Sequence, residues 1–513
     1  MHEKCYVERK FRAPEMIKYT SKQQISIEDF TMPFSGKLDS KNRWVILAKL
    51  LPWDEMVSVY VKNMSLSHGR VAIDPRVAVG SILIKHLKSL ADEDTVEEIQ
   101  ENPYLQYFLG YDSYRYDQPF TPSLFVAIRR RLGDVRFEEL TRELVSYTEK
   151  VKAKSKEQTK GKKRNSNSSG SEERGDGNKG HLIVDATVAP SDIKYPTDLD
   201  LLNDVREKSE LLIDELYSSA PAKKKPRSYR QVARRQYLAA TRLRKKNKKT
   251  IRKALGKQLR YIARNMKTIE RLLDQKGSVS FPLSHTYQRL YWIIQEVYRQ
   301  QRRMYEEKSH QVADRIVSVS QPYVRPIVRG KTGKEVEFGA KISVSLVDGM
   351  SYVHRISWDA YNESTDLINQ IEFYRNQFGE YPQWVSADKI YGTRENRAYM
   401  RSRDIRFTGV TLGRPRELTE EIKGILKEQK QLSRQRSRVE GKLGEGKRKY
   451  DLDRVKAKKQ DTSESWIKVT FFVMNITRLL RVVFLSLLKF MYSWWKMRKW
   501  ISLCRKNLVW QIG

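Results

Sequence analysis

The stretch EVEFGAKISVSLVDGMSYVHRISWDA, residues 335–360, alternates apolar and polar side chains. A period of two is the repeat of a half-buried β-strand. Val347-Asp348-Gly349-Met350 interrupts the run, and Asp-Gly readily takes the positive φ that a tight hairpin needs. The stretch therefore reads as two antiparallel strands. DRIVSVS, residues 314–320, carries the same alternation and reads as another strand.

Working outward, HLIVDATVAPSD (181–192) is an apolar run followed by turn residues, a buried strand ending near Asp185. ESTDLINQIEFYRNQFG (363–379) reads as an amphipathic helix opened by Ser364 or Thr365. QWVSADKI (383–390) reads as a strand ending at Asp388, TRENRAYMRSRD (393–404) as a helix, and IRFTGVTL (405–412) as a further strand. From about Glu417 to Asp451 the pattern is helical again. The order matches an RNase H-like mixed sheet, with antiparallel strands first and strand–helix alternation after them.

The remaining chain sets the domain organisation. Residues 1–152 read as a helical N-terminal DNA-binding domain, with Asp74-Pro75 and Thr121-Pro122 opening helices. Arg129, Arg130 and Arg131 fall in the last turns before Gly133, where they either suit the helix dipole or contact phosphate. Residues 153–180 lack large apolar side chains and read as a flexible linker. The catalytic domain comprises 181–200 and 312–490, interrupted by a helical insertion at 201–311, with a basic aromatic tail at 491–513. The fold class is thus α+β: a helical domain, then a mixed sheet carrying a long basic helical insertion.

Charge narrows the function. The 513 residues hold 99 Lys and Arg against 62 Asp and Glu, a net charge of +37. Such an excess points to a polyanionic partner, nucleic acid first and an anionic membrane surface second. From Pro221 to Arg264 there are eighteen Lys and Arg and no acid. This block, with Lys223, Lys224, Lys225, Arg234, Arg235, Lys245 and Lys246, reads as a phosphate-binding surface, the alternative being a disordered basic linker. Two isolated cysteines, Cys5 and Cys504, suit a reducing cytoplasm. The apolar segment 466–495 holds Arg478, Arg481 and Lys489 in its interior, which argues for a packed helix and against a membrane span.

Three acids fall where such a sheet would gather them: Asp185, Asp388 and Glu440. Carboxylate oxygens suit Mg²⁺ or Mn²⁺, and two such ions can clamp the attacking and leaving oxygens of a phosphoryl transfer. Arg436, Glu440 and Lys447 are four and seven residues apart and form one helix stripe, beside an apolar stripe of Leu432, Val439, Leu443 and Tyr450. Gly441, Gly444 and Gly446 either weaken this helix or admit a phosphate backbone. Other chemistries lack their motifs: Gly330-Lys331-Thr332 has Arg325 where a P-loop needs glycine, and neither HExxH nor GxSxG occurs.

With these residues in place, the chain resembles the bacterial insertion-sequence DDE transposases. VDATVAPSDIKYPTDLDLLNDVRE (184–207) is similar to their first-aspartate motif, SADKIYGTRENR (386–397) to the second, and RSRVEGKLGEGKRKYDLDRV (436–455) to the glutamate motif. Ser433 stands where that motif has tyrosine. The resemblance runs from about Phe34 to Leu480. It implies metal-dependent cleavage of double-stranded DNA at terminal inverted repeats, followed by joining of the freed 3′ end to target DNA. Asp185, Asp388 and Glu440 would hold two Mg²⁺ or Mn²⁺ ions. Arg436 and Lys447 would grip phosphates, with Arg394 and Asn396 as further contacts. A homodimer in the synaptic complex, no membrane, and a cytoplasmic, nucleoid-associated location are also implied. A non-catalytic DNA-binding protein of transposase origin, or a basic structural or RNA-binding protein, remain as alternatives; Mg²⁺-dependent nicking separates the first from them.

Overall fold

The computed structural model describes residues 25–33, 36–62, 64, 72–160, 177–218, 225–245, 247–276, 281–331, 334–409 and 420–482. Helices α1 (Arg43–Leu50), α2 (Trp53–Val61), α3 (Pro75–Lys88), α4 (Asp92–Glu101) and α5 (Pro103–Leu109) build the N-terminal part. The Asp74 side chain accepts the Arg76 N–H at 2.6 Å, and Pro75 fills the first helical position, where its missing N–H is not needed. Helix α6 (Leu124–Lys160) is broken at Gly133, whose φ of 43° and ψ of −167° are non-helical. The helix continues to Lys160, so the first eight residues expected in the linker are helical. Residues 161–176 lie outside the described residues.

Strands β1 (His181–Pro190), β2 (Arg325–Lys331), β3 (Lys334–Val347), β4 (Met350–Ser357), β5 (Trp384–Ser386) and β6 (Arg406–Phe407) form one mixed sheet. Long β3 runs antiparallel to β1 on one side and to β2 and β4 on the other. On the far side of β1, β5 and then β6 are parallel. The hairpin expected at Asp348-Gly349 is present, with φ of 52° and 83° at the two turn residues.

Four strand expectations are corrected. Residues 314–320 are not a strand: Ile316 and Val319 turn into one hydrophobic cluster and Val317 into another, so the alternation reflects a segment threading between two cores. The strand in that region is β2, whose Pro326 is tolerated because β2 pairs only with β3. Nor does β1 end at Asp185; it continues to Pro190 because β3 pairs with it over its full length from Ile183. Strand β5 ends at Ser386 and not at Asp388, which caps the turn that follows, and the last strand has only two residues.

Between β1 and β2 lie α7 (Asp198–Ser218), α8 (Arg230–Thr241), α9 (Lys248–Lys276) and α10 (His285–Glu307), four helices where one long helical stretch was read. They bury their own cluster, including Leu202, Val205, Leu212, Ile262, Ile269 and Ile294. Helices α11 (Leu367–Phe378), α12 (Arg394–Arg401), α13 (Glu420–Gln435) and α14 (Ser437–Lys449) follow the hairpin. A last helix, α15 (residues 460–482), crosses β4, where the Asn475 amide accepts the Ser351 N–H at 2.9 Å and donates to the Ser351 carbonyl at 2.8 Å. It joins the N-terminal helices to the sheet: Lys468 pairs with Glu138 at 2.6 Å, Ser465 donates to the Arg129 carbonyl, and Trp466 packs on His86. One apolar core thus runs from the N-terminal helices through the sheet to α15. Among the described residues no helix is long and apolar enough to cross a membrane. Residues 483–513, including the tail, lie outside the described residues.

Candidate active site

The site begins where two parallel strands part. Strand β5 pairs with β1 only from His181 to Ile183, so beyond Ile183 the edge of β1 is open. Asp185 stands at the start of this open edge. Two residues past β5, the Asp388 carboxylate accepts the Lys389 N–H at 2.7 Å and caps a 3₁₀ turn, Lys389–Tyr391, that carries the chain away. The carboxyl ends of parallel strands at such a parting are the usual place for a ligand crevice in an open sheet.

Helix α14 closes the third side. Val439 and Leu443 are buried against the core, and α14 packs on β1. Residues one helical position away from that apolar stripe then face the crevice: Arg436, Glu440, Gly444 and Lys447 all line it. Helix geometry also separates the three glycines. Gly446 is buried, and a Cβ there would stand 3.1 Å from Leu452 and Met474, so its small size serves packing. Gly444 lines the cleft, while a Cβ on Gly441 would meet open space.

The resulting cleft has a volume of about 610 Å³ and brings together Asp185, Asp388, Glu440, Arg436 and Lys447. Two charged residues not singled out in the sequence line it as well, Lys341 and Glu363. They form an ion pair of 2.7 Å. Burial pushes the Asp185 carboxyl up to about 6; the Ala186 N–H and Arg436 act against this, and Glu363 and Glu440 add to it. Glu440 is 55% exposed and lies 3.1 Å from Arg436. Asp388 is exposed.

The other expected contacts lie elsewhere. Arg394 is exposed in the first turn of α12 and does not line the cleft. Asn396 is buried and braces the site from behind, its amide donating to the carbonyls of Ser364 at 2.8 Å and Tyr391 at 2.9 Å. Arg129 is buried too, bound to both Asp92 oxygens at 2.9 and 2.8 Å. Arg130 pairs with Asp461 at 3.2 Å, and Arg131 approaches the Tyr60 hydroxyl. In the insertion, Lys225 pairs with Asp214 at 2.7 Å, while Arg234, Arg235 and Lys245 are exposed. Lys223, Lys224 and Lys246 lie outside the described residues. Ser433, in the position of the motif's tyrosine, is exposed on α13.

A divalent cation would find only hard oxygen donors among the acids of this cleft, which is the donor chemistry Mg²⁺ and Mn²⁺ take. Asp185 is raised mainly by its burial, with Glu363 and Glu440 adding to it, and a cation beside it would oppose both effects. A buried orphan supports the fit: the Tyr391 hydroxyl has no hydrogen-bond partner and lies in the field of Glu363 and Asp185. In this arrangement no three acids among the described residues are close enough to share one ion. Of the two cleft acids held in ion pairs, Glu440 is 55% exposed on Arg436 and Glu363 20% exposed on Lys341.

Sequence reasoning missed Glu363, Lys341 and Tyr391. Tyr391 carried a signal, three residues after Asp388 in the same motif. Glu363 and Lys341 meet across the sheet-to-helix connection and carried none.

Two stretches of the chain match known families. Residues 33–131 match a transposase domain (DUF772), and residues 385–477 match a transposase DDE domain. The second match contains Asp388, Arg436, Glu440 and Lys447; Asp185 lies before it. A Rhizobium meliloti protein described as uncharacterized protein ORF8 in the nfe locus is 29% identical over 175 residues, covering 32% of this chain and 72% of its own length. No solved structure matches.

Proposed function

We propose that the chain is an insertion-sequence DDE transposase, a reading supported by its transposase-domain matches at residues 33–131 and 385–477, and that it cleaves double-stranded DNA at the element's terminal inverted repeats and joins the freed 3′ ends to target DNA. The observation that carries this reading is one cleft lined by Asp185, Asp388 and Glu440, three acids far apart in sequence, with Arg436 and Lys447 on its rim. The strand order, antiparallel β4-β3-β1 followed by parallel β5 and β6, supports an RNase H-like reading of the catalytic half.

Asp185, Asp388 and Glu440 would hold two Mg²⁺ or Mn²⁺ ions. Bound there, the cations supply Lewis-acid polarisation of the phosphodiester and stabilise the attacking and leaving oxygens. Arg436 and Lys447 lie one and two helical turns either side of Glu440 and bind phosphates flanking the cut. A phosphate on Arg436 competes with Glu440 for the guanidinium and frees that carboxylate to face the cleft. Lys341 keeps the Glu363 charge neutralised while the cleft is empty of cation.

Helix α9 supports a long phosphate contact. Lys249, Lys253, Lys257, Arg260, Arg264, Lys267 and Arg271 recur every three or four residues on one side of it, opposite buried Leu259, Ile262 and Ile269. At 1.5 Å per residue this ridge is about 33 Å long. None of the seven makes an ion pair with an acid among the described residues. With exposed Arg234 and Arg235 on α8, it is the surface on which duplex DNA lies in this reading.

The test is cleavage of DNA carrying the sequences that flank the coding region. The wild-type protein should nick at the element ends only with Mg²⁺ or Mn²⁺. Asp185→Ala, Asp388→Ala and Glu440→Ala should each abolish nicking while DNA affinity is retained. Robust strand transfer by Asp388→Ala would overturn the assignment.

A further inference from the structure

Beyond the three acids already assigned, the cleft contains a fourth. Glu363 opens the 3₁₀ turn Glu363–Asp366 that leads into α11, a turn capped by the Asn362 side chain accepting the Ser364 N–H at 3.1 Å. Its carboxylate lines the same crevice as Asp185. Its position is over-determined. Lys341, on β3, reaches the Glu363 carboxylate at 2.7 Å, donates to the Tyr361 carbonyl at 2.9 Å and sits over the Tyr361 ring. From the other side, the Asn396 amide donates at once to the Ser364 carbonyl, next to Glu363, and to the Tyr391 carbonyl, in the turn that Asp388 caps. One buried amide therefore locks the Glu363 segment to the Asp388 segment.

A second and independent observation points to a missing ligand. Tyr391 is fully buried, and its hydroxyl has no hydrogen-bond partner although it lies in the field of the Glu363 and Asp185 carboxylates. A buried donor left unpaired is destabilising. Nothing in the apolar packing requires a hydroxyl there, since phenylalanine would fill the same volume. An oxygen atom belonging to something bound between the two acids would satisfy it.

We propose that Glu363 is a fourth oxygen ligand of the cation held in this cleft, acting from the side opposite α14. This rests on the cation-dependent reading of the site given above. Lys341 acts as the stand-in charge that keeps Glu363 in place in the metal-free protein. The Tyr391 hydroxyl gives the bound oxygen shell a donor.

The experiment measures Mn²⁺ binding to the full chain without DNA, by the electron paramagnetic resonance signal of free Mn²⁺. Asp185→Asn and Glu363→Gln should each raise the Mn²⁺ Kd by about tenfold or more, on the scale of perturbing a metal site's ligands. If Asp185→Asn weakens binding and Glu363→Gln binds like wild type, the inference is overturned and the three-acid reading stands. If neither variant weakens binding, the cation reading itself fails, and the inference with it. Should circular dichroism show Glu363→Gln to be misfolded, Glu363→Asp decides: it keeps the charge for Lys341 but withdraws the carboxylate by one methylene. A raised Kd in that variant supports the proposal, and an unchanged one refutes it.

Discussion

If the α9 ridge lies along DNA, removing three of its charges should flatten the salt dependence of binding by a calculable amount. Lys253, Arg260 and Lys267 are the positions to change, because all three are exposed and lie on the ridge. Arg264 is left alone: its guanidinium stacks on Tyr229 at 4.4 Å, so its loss would disturb packing as well as charge. Glutamine is the replacement, being close to lysine and arginine in helix propensity. Each phosphate contact contributes about 0.9 to the slope of log affinity against log salt. Three lost contacts should reduce that slope by about 2.7. Between 50 and 200 mM NaCl, the wild-type protein would therefore lose about 40-fold more affinity than the triple variant. Fluorescence anisotropy with a labelled duplex across that range measures both slopes, and circular dichroism checks that α9 persists. An unchanged slope would show that the ridge is merely solvated and would remove α9 from the DNA interface.

Other expectations concern the frame that holds the site. Asp92 lies between Lys85 at 2.9 Å and Arg129 at 2.8 Å, whose side chains are only 3% and 8% exposed; Asp92→Asn should cost about 3–5 kcal/mol by leaving buried cations without their counter-charge, seen as a lower urea midpoint. Burial pushes the Asp92 carboxyl up, but Arg129 and Lys85 hold it net below its ordinary range. A depressed folded-state value means stability present above the unfolded pKa and lost as pH falls through the folded one. Wild-type stability should thus decline in acid, and the Asp92→Asn variant should lack that part of the decline; an identical pH profile in both proteins would refute the pairing. Arg129→Ala should lower stability and leave the slope of DNA affinity against salt unchanged, whereas a flattened slope at normal stability would restore Arg129 as a phosphate contact. Gly339→Ala should prevent β1 from seating on β3, because its Cβ would overlap the Ala189 carbonyl oxygen; overpacking of this kind costs about 1–3 kcal/mol or more, and a variant with wild-type thermal stability would contradict the register.

Local chemistry was the legible part. Asp348-Gly349 announces its hairpin because the turn demands positive φ, and Asp74-Pro75 announces its helix because cap and first-turn preferences are set within a few residues. The stripe of Arg436, Glu440 and Lys447 could be placed at the margin of the core because helical periodicity alone fixes which residues share a face. Strand ends were not legible in the same way. Whether β1 stops at Asp185 or Pro190 depends on the reach of β3, more than a hundred residues downstream. The alternation at 314–320 is real, but two cores rather than two strands receive its apolar residues. Arg129 shows the same limit for charge: its cationic position in a helix is local information, while its burial against Asp92 is not.

The position of the candidate site follows from a mismatch of strand lengths. Because β5 is three residues long and β1 ten, their parallel pairing ends at Ile183 and leaves the remaining edge of β1 without a partner. An unpaired edge inside a sheet is a place where backbone and side chains stay available to a ligand. Asp185 and Asp388 each lie two residues beyond the last paired residue of their own strand in this parallel ladder. That common offset explains how two acids distant in sequence come to face one cleft. Glu440 arrives by a different route, through the burial of Val439 and Leu443 that fixes the rotation of α14. It is consequently the more adjustable member: exposed, paired with Arg436, and set at the start of a helix that follows a break at Arg436 itself. A site with two acids fixed by the sheet and one carried on a helix can complete itself when a phosphate draws Arg436 away, so in the proposed reaction the substrate would assemble the last part of the centre that cuts it.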